Sequence, residues 1–172
     1  KAAYITKATA QLMRDFGSTP APISSWIMGM HMESLGVRME RHCANALAMA
    51  RWLDADSRIS WVSYPGLEGD KYHALAEKYM PNGTCGVISF GVPGGREKVS
   101  AFLDHLKMVS IATHVADARS CTLYPAGTTH RQLTDEQLEE AGVGIDLVRL
   151  SCGIENAADI IADLDQALAS IQ

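Results

Sequence analysis

The sequence predicts an α/β domain of the α+β kind: a two-layer sandwich whose short mixed or antiparallel sheet is covered by helices. Three observations predict it. Five short runs with strand character alternate with segments whose apolar residues recur at three and four, the helical spacing. Strands so few and short cannot cover themselves and need helices on at least one face. The 172 residues, 47% of them apolar, suffice for a core without disulfide or metal staples.

The elements follow in order. Residues 1–16 read as a helix, with Ala3, Ile5, Ala8, Leu12 and Met13 at loosely helical spacing and Gly17 in the left-handed closing position. Ser18-Thr-Pro-Ala-Pro22 is a loop, because two prolines two apart cannot lie inside a helix. Residues 23–55 contain no proline and read as one long helix with a bend at Gly29 or Gly36. Its broad apolar side, Trp26, Met30, Leu35, Val37, Met39, Ala46, Leu47, Ala50 and Leu53, is expected to form the backbone of the domain. Its dense polar positions, Arg38, Glu40, Arg41, His42, Asn45 and Arg51, read as a solvated face with local ion pairs.

Ile59–Tyr64 alternates as a half-buried strand, stopped by Pro65-Gly66. A helix over 71–80, a turn at Pro81-Asn-Gly83 and an apolar, central strand over 85–91 follow. Pro93-Gly-Gly95 turns the chain into a helix over 97–106. Strands are expected at 108–112 and 120–123, and Thr134 caps a short acidic helix closed at Gly142. A last strand, 146–152, precedes a terminal helix over 156–171 with Ile160, Ile161, Leu164, Ala167 and Leu168 inward.

Composition excludes several classes. A net charge of −5 argues against a nucleic-acid footprint, which needs clustered Lys and Arg. No apolar run approaches the ~20 residues of a membrane span. Cys43, Cys85, Cys121 and Cys152 are widely spaced, without a Cys-x-x-Cys pair, and read as small buried residues in a reducing cytoplasm. The six histidines are scattered, so no metal site is expected. Glycine-rich dinucleotide and phosphate-loop motifs are missing, as are the serine-hydrolase elbow and the zinc-protease helix.

Two places are chemically unusual. Asp117–His130 is denser in polar residues than a loop requires, although Ser and Thr can serve loop backbone groups. Arg149 lies in an otherwise apolar strand, Leu147-Val-Arg-Leu150. A covered guanidinium cannot lose its proton and must find an anion. That anion is either a structural Asp or Glu, or a substrate carboxylate gripped bidentately.

Several ordered motifs carry a family resemblance. Val148-Arg-Leu-Ser-Cys-Gly-Ile-Glu155 with Asp159-Ile-Ile-Ala-Asp-Leu164, Tyr124-Pro-Ala-Gly-Thr-Thr-His130 with Gln132-Leu133, Leu35-Gly-Val-Arg-Met-Glu-Arg-His42 with Asn45-Ala46, and Val62-Ser-Tyr-Pro-Gly-Leu67 resemble the pyridoxal-phosphate enzymes of cysteine and methionine metabolism. Within that family, the stretches at 38–42, 115–120 and 128–133 are most similar to the O-acetylhomoserine sulfhydrylases. The resemblance covers the chain from about Arg14 onward.

It implies the C-terminal domain of a fold-type I enzyme, with residues 1–22 a connecting helix and loop from a cofactor domain and residues 23–172 the substrate-side domain. It implies that Arg149 binds the α-carboxylate of an amino-acid substrate, that His114 contributes to the same site, and that Thr129 lies on the substrate side. His114 stands where Asn or Ser is usual, and Ala116 where Gly is usual.

The cofactor would be pyridoxal 5′-phosphate. None of the six lysines has the Ser-x-x-Lys context to which the family attaches it. No catalytic residue is therefore assigned to this chain, which is expected to be inactive alone. It opens on Lys1-Ala-Ala rather than Met and reads as a piece of a larger, cytoplasmic enzyme, a homotetramer when complete. The chemistry implied for the whole is replacement of the γ-acetoxy group of O-acetylhomoserine by sulfide or a thiol. A methionine or cystathionine γ-lyase, a cystathionine γ-synthase and a non-catalytic assembly module are the alternatives.

Overall fold

The computed structural model describes residues 2–172. They fall into two compact units, one reaching to Gly36 and the other running Val37–Gln172.

The first unit is helical. Helix α1 (Ala3–Lys7) passes through a π-helical stretch (Ala8–Met13) into α2 (Arg14–Phe16), which Gly17 ends in the left-handed conformation, φ 66°. Helix α3 (Pro22–Glu33) starts on a proline, whose missing N–H costs nothing in a first turn. The long helix expected over 23–55 is divided. Ser34, at φ −99° and ψ 2°, separates α3 from α4 (Leu35–Asp54), so the interruption falls between Gly29 and Gly36 rather than at either.

No residue of α1, α2 or α3 is buried. Trp26, Met30, Leu35 and Val37, expected on the core side, are all exposed. The reason lies in the spacing. Ile23, Trp26, Ile27, Met28, Met30 and Met32 run right round α3, so they define no single inward stripe.

The second unit holds a five-stranded sheet in the order β1-β2-β5-β4-β3, from β1 (Trp61–Ser63), β2 (Val87–Gly91), β3 (Ser110–Ile111), β4 (Cys121–Leu123) and β5 (Leu147–Ser151). All neighbours are antiparallel except β3 and β4, which are parallel, so the sheet is mixed as expected. The remaining helices are α5 (His73–Tyr79), α6 (Gly95–Asp104), α7 (Asp135–Glu140) and α8 (Ala157–Ala169). Thr134 caps α7 with a reciprocal capping box to Gln137, and Asn156 caps α8.

The core lies on one face of the sheet. Ile88 and Phe90 of β2 and Val148 and Leu150 of β5 point into it, as period two requires. Helix α4 adds Ala46, Met49, Ala50 and Leu53; α6 adds Val99, Phe102 and Leu103; α8 adds Ile160, Leu164, Ala167 and Leu168. Phe90 and Phe102 meet edge to face, 6.2 Å between centroids. Asp163, on the inner side of α8, is buried. Its carboxylate accepts the backbone N–H groups of Lys107, Met108 and Val109 at 2.8–2.9 Å and so fixes the turn that leads into β3. All four cysteines are free; Cys121 and Cys152 are buried, Cys43 and Cys85 half-buried. Burial pushes the Cys152 thiol up to about 12, consistent with an inert core residue.

Candidate functional site

Arg149 is the central residue of β5. Its cross-strand neighbours are Ser89 on β2 and Leu123 on β4, and with them it lies on the sheet face opposite Val148 and Leu150. It is half-buried. Its Nη2 donates to the backbone carbonyl of Thr113 at 3.1 Å, and its Nε is buried without any hydrogen-bond partner. Among the described residues no Asp or Glu lies within 4.0 Å of the guanidinium. Of the two anions open to it in the sequence, the described residues supply no structural carboxylate.

The carbonyl that holds Arg149 belongs to the loop after β3. Ala112 N–H still bonds Thr122 O at 3.0 Å, and the chain then leaves the sheet through Thr113, His114, Val115 and Ala116. His114 is exposed and directly follows the residue that Arg149 binds. Ala116 has φ 57° and is the one non-glycine residue with positive φ among the described residues, a conformation that favours glycine. Its N–H donates to Ser151 Oγ at 3.3 Å, returning the loop to β5 two residues beyond Arg149. Asp117 Oδ1 then accepts Arg119 N–H at 3.0 Å. That bond, with the Arg119 side chain, lowers the Asp117 carboxyl below its ordinary value.

Behind the loop stands a second layer of polar contacts. Ser120 is fully buried. Its N–H donates to Glu155 Oε1 at 2.6 Å and its hydroxyl to Oε2 at 3.0 Å, while the same hydroxyl oxygen accepts Gly153 N–H at 2.9 Å. Ile154 N–H bonds Ala118 O at 3.0 Å. Helix α4 holds the 152–155 segment from the other side. His42 Nδ1 meets Cys152 O at 2.6 Å, so that nitrogen carries the proton. Asn45 Nδ2 donates to Gly153 O at 2.9 Å and Glu155 O at 2.8 Å, and Arg41 Nη2 to Glu155 O at 3.0 Å. Thus His42 and Asn45 are buried and not part of the solvated face that their density suggests, while Arg41 is exposed as expected. All three serve carbonyls of a segment more than 100 residues away in sequence. Binary patterning cannot distinguish a helix face wetted by water from one wetted by backbone.

Thr129 lies elsewhere in the unit, just after the short helical turn Pro125–Gly127. Its hydroxyl pairs with His130 Nδ1 at 2.9 Å, and no hydrogen bond joins it to Arg149 or to the 113–117 loop. Arg96 anchors that turn, donating to Ala126 O at 3.0 Å and pairing with Asp135. Much of the polar density over 117–130 serves backbone groups, as with Thr128 Oγ1 on Tyr124 O at 2.6 Å. The site therefore gathers Arg149 and the His114 loop. Sequence reasoning did not single out Thr113, Ser120, Ser151 or Glu155. The last two stand within the motif that carries Arg149, which was the available signal.

The sequence model of the Cys/Met metabolism PLP-dependent enzymes matches residues 1–169. An O-acetyl-L-homoserine sulfhydrylase of Leptospira meyeri is 44% identical over 170 residues, covering 98% of this chain and 38% of the relative. A homocysteine synthase of Schizosaccharomyces pombe is 44% identical over 166 residues, covering 96% and 39%. A crystal structure from Campylobacter jejuni, described as an O-acetylhomoserine (thiol)-lyase with a pyridoxyl-lysine monophosphate, superposes with a TM-score of 0.89 at 35% identity over 97% of this chain and 40% of that one. The chain thus spans about two-fifths of the length of the proteins it matches. The described lysines, at 7, 71, 78, 98 and 107, are all exposed. The residues around Arg149 offer an unsatisfied guanidinium to an anion. With the fold, the motifs in register and the match along nearly the whole chain, the chain belongs to the pyridoxal-phosphate-dependent enzymes of cysteine and methionine metabolism.

Proposed function

We propose that this chain is the substrate-carboxylate side of an O-acetylhomoserine sulfhydrylase, which replaces the γ-acetoxy group of O-acetylhomoserine by sulfide or a thiol to give homocysteine or methionine. The observation that carries the reading is the guanidinium of Arg149, half-buried, with an orphaned Nε and no acidic partner among the described residues. Removing one partner of a covered ion pair is costly, so a covered Arg left open calls for an anion from outside. An α-carboxylate matches its fork in charge and shape. Binding there orients the substrate, and its role is positioning. His114, next to the Thr113 carbonyl, stands at the rim of that position, and Thr129 is a further contact on the substrate side.

Pyridoxal phosphate, when bound, supplies the electron sink for breaking and remaking the γ-bond. Its attachment lies in a cofactor domain to which residues 1–22 connect, residues 23–172 forming the substrate-side domain. The 172-residue chain alone is inactive. The bare apolar surface of α3, with Trp26, Ile27, Met28 and Met30 exposed, supports a larger assembly, because a helix apolar all round belongs in an interior. The complete enzyme is a cytoplasmic homotetramer, as the family resemblance implies.

The test is a substrate panel on the complete protein: acetyl, succinyl and phospho esters of homoserine with sulfide, against methionine and cystathionine. Preference for the acetyl ester supports the reading, and turnover of methionine or cystathionine alone assigns a γ-lyase instead. Arg149→Ala raises KM steeply; an unchanged KM removes the carboxylate assignment.

A further inference from the structure

We propose that Glu155 is a positioning residue for the carboxylate site, acting through Ser120 and the 113–119 loop on the group that aims Arg149; this rests on the reading of Arg149 as the carboxylate binder. The loop that supplies the Thr113 carbonyl would be free to move if nothing held its far end. It is held at three points: Ala116 N–H on Ser151 Oγ, Ala118 O on Ile154 N–H, and Ser120 on Glu155. The third is the strongest, because both carboxylate oxygens take a donor from the same residue, at 2.6 and 3.0 Å. Among the described residues no cation lies within 4.0 Å of Glu155, so its charge is met by the Ser120 N–H and O–H.

The clamp is itself clamped. Arg41 and Asn45 hold Glu155 by its backbone carbonyl, and Ser120 Oγ returns to Gly153 N–H. Helix α4, the 152–155 segment, the loop and Arg149 thereby form one unbroken run of contacts. Among the described residues Glu155 makes no hydrogen bond or ion pair to Arg149. Its effect passes through where the Thr113 carbonyl sits, and a shift of that carbonyl turns the guanidinium fork away from the line of a carboxylate.

The experiment separates orientation from general damage. On the complete protein, inhibition constants are measured for 2-aminobutyrate and for propylamine, the same molecule without its carboxylate. Their ratio reads what the carboxylate contributes. Arg149→Ala collapses the ratio toward unity. Glu155→Ala and Ser120→Ala each lower it about tenfold, the scale of a misplaced orienting group, and Glu155→Gln, which keeps an acceptor for the Ser120 N–H, restores most of it. Amide exchange at Ala116 quickens in Glu155→Ala. If Arg149→Ala collapses the ratio while the Glu155 and Ser120 variants raise both constants equally, the proposal is overturned and the carboxylate reading stands. A ratio untouched by Arg149→Ala overturns both. Should Glu155→Ala fail to fold, Ser120→Ala and Glu155→Gln decide the matter.

Discussion

Arg149 donates to the backbone carbonyl of Thr113 and to no side-chain acceptor in the described residues. A backbone carbonyl can aim a guanidinium without neutralising it, which leaves the charge available to a ligand. Arg149→Lys keeps the charge but loses the planar fork and the Nε that is now orphaned. The expected outcome is a KM for the amino-acid substrate raised about 10- to 100-fold, from the ~1.5–3 kcal/mol of a charge-assisted hydrogen bond. Folding stability should change by less than about 1 kcal/mol, because no buried carboxylate is orphaned. A loss of about 3–5 kcal/mol in urea unfolding would instead mark a structural ion pair.

Ala116 at φ 57° carries local strain at the bend of the same loop. A left-handed L-residue costs about 1–2 kcal/mol, against which glycine brings extra unfolded-state freedom of about 0.5–1 kcal/mol. Ala116→Gly is therefore expected to be neutral to about 1 kcal/mol stabilising, and Ala116→Val destabilising. Chemical denaturation of the two variants side by side checks the sign.

Asp163 makes stability depend on acid. Burial works against its charged form, but the N–H groups of Val109, Lys107 and Met108 and the Gln166 amide outweigh it, so the folded carboxyl lies below its ordinary value. The folded state thus binds the proton less readily than the unfolded chain. The stability this contributes is fully present above the unfolded carboxyl's ~3.9. It is lost as pH falls toward the folded value. Asp163→Asn places an amide N–H₂ against backbone donors and should cost about 2–4 kcal/mol at neutral pH. It should also flatten the fall in stability below about pH 4. Thermal melts of both proteins from pH 3 to 7 check this; parallel curves would contradict it.

The sheet and its covering helices were legible because their signals are local. Ile88 and Phe90, like Val148 and Leu150, alternate at period two, and the apolar residues of α6 and α8 recur at helical spacing. Ser34 was not legible as a helix break, since serine is a mild helix former beside two glycines that are worse ones. Arg149 stood out against apolar neighbours, but its partner did not, because a backbone carbonyl has no signature in sequence. Ser120 and Glu155, 35 residues apart, each read as an ordinary polar residue until the fold brought them together. His42 and Asn45 misled for the same reason: the carbonyls they serve belong to Cys152, Gly153 and Glu155.

Gly153 shows how tightly that meeting is packed. A Cβ there would fall 2.3 Å from Glu155 Oε2, 2.5 Å from Ala118 O and 2.5 Å from the Arg119 carbonyl carbon. Its φ is not in the left-handed region, so the requirement for glycine is one of space and not of backbone conformation. Two of the three obstacles are backbone atoms that cannot rotate aside. The added methyl must push the 118–119 strand entry away from the 153–155 segment, breaking the Ile154 N–H to Ala118 O bond and pulling Ser120 off Glu155. Gly153→Ala is expected to cost about 2–4 kcal/mol, combining overpacking with lost buried hydrogen bonds. Double-mutant analysis sharpens this. Because Gly153→Ala already dislodges the Glu155 carboxylate, Glu155→Ala should add little on the alanine background, whereas on the wild-type background it costs the whole Ser120–Glu155 contact. Unfolding free energies of the four proteins give the coupling directly, and strict additivity would show that the methyl is accommodated without disturbing the Ser120–Glu155 contact.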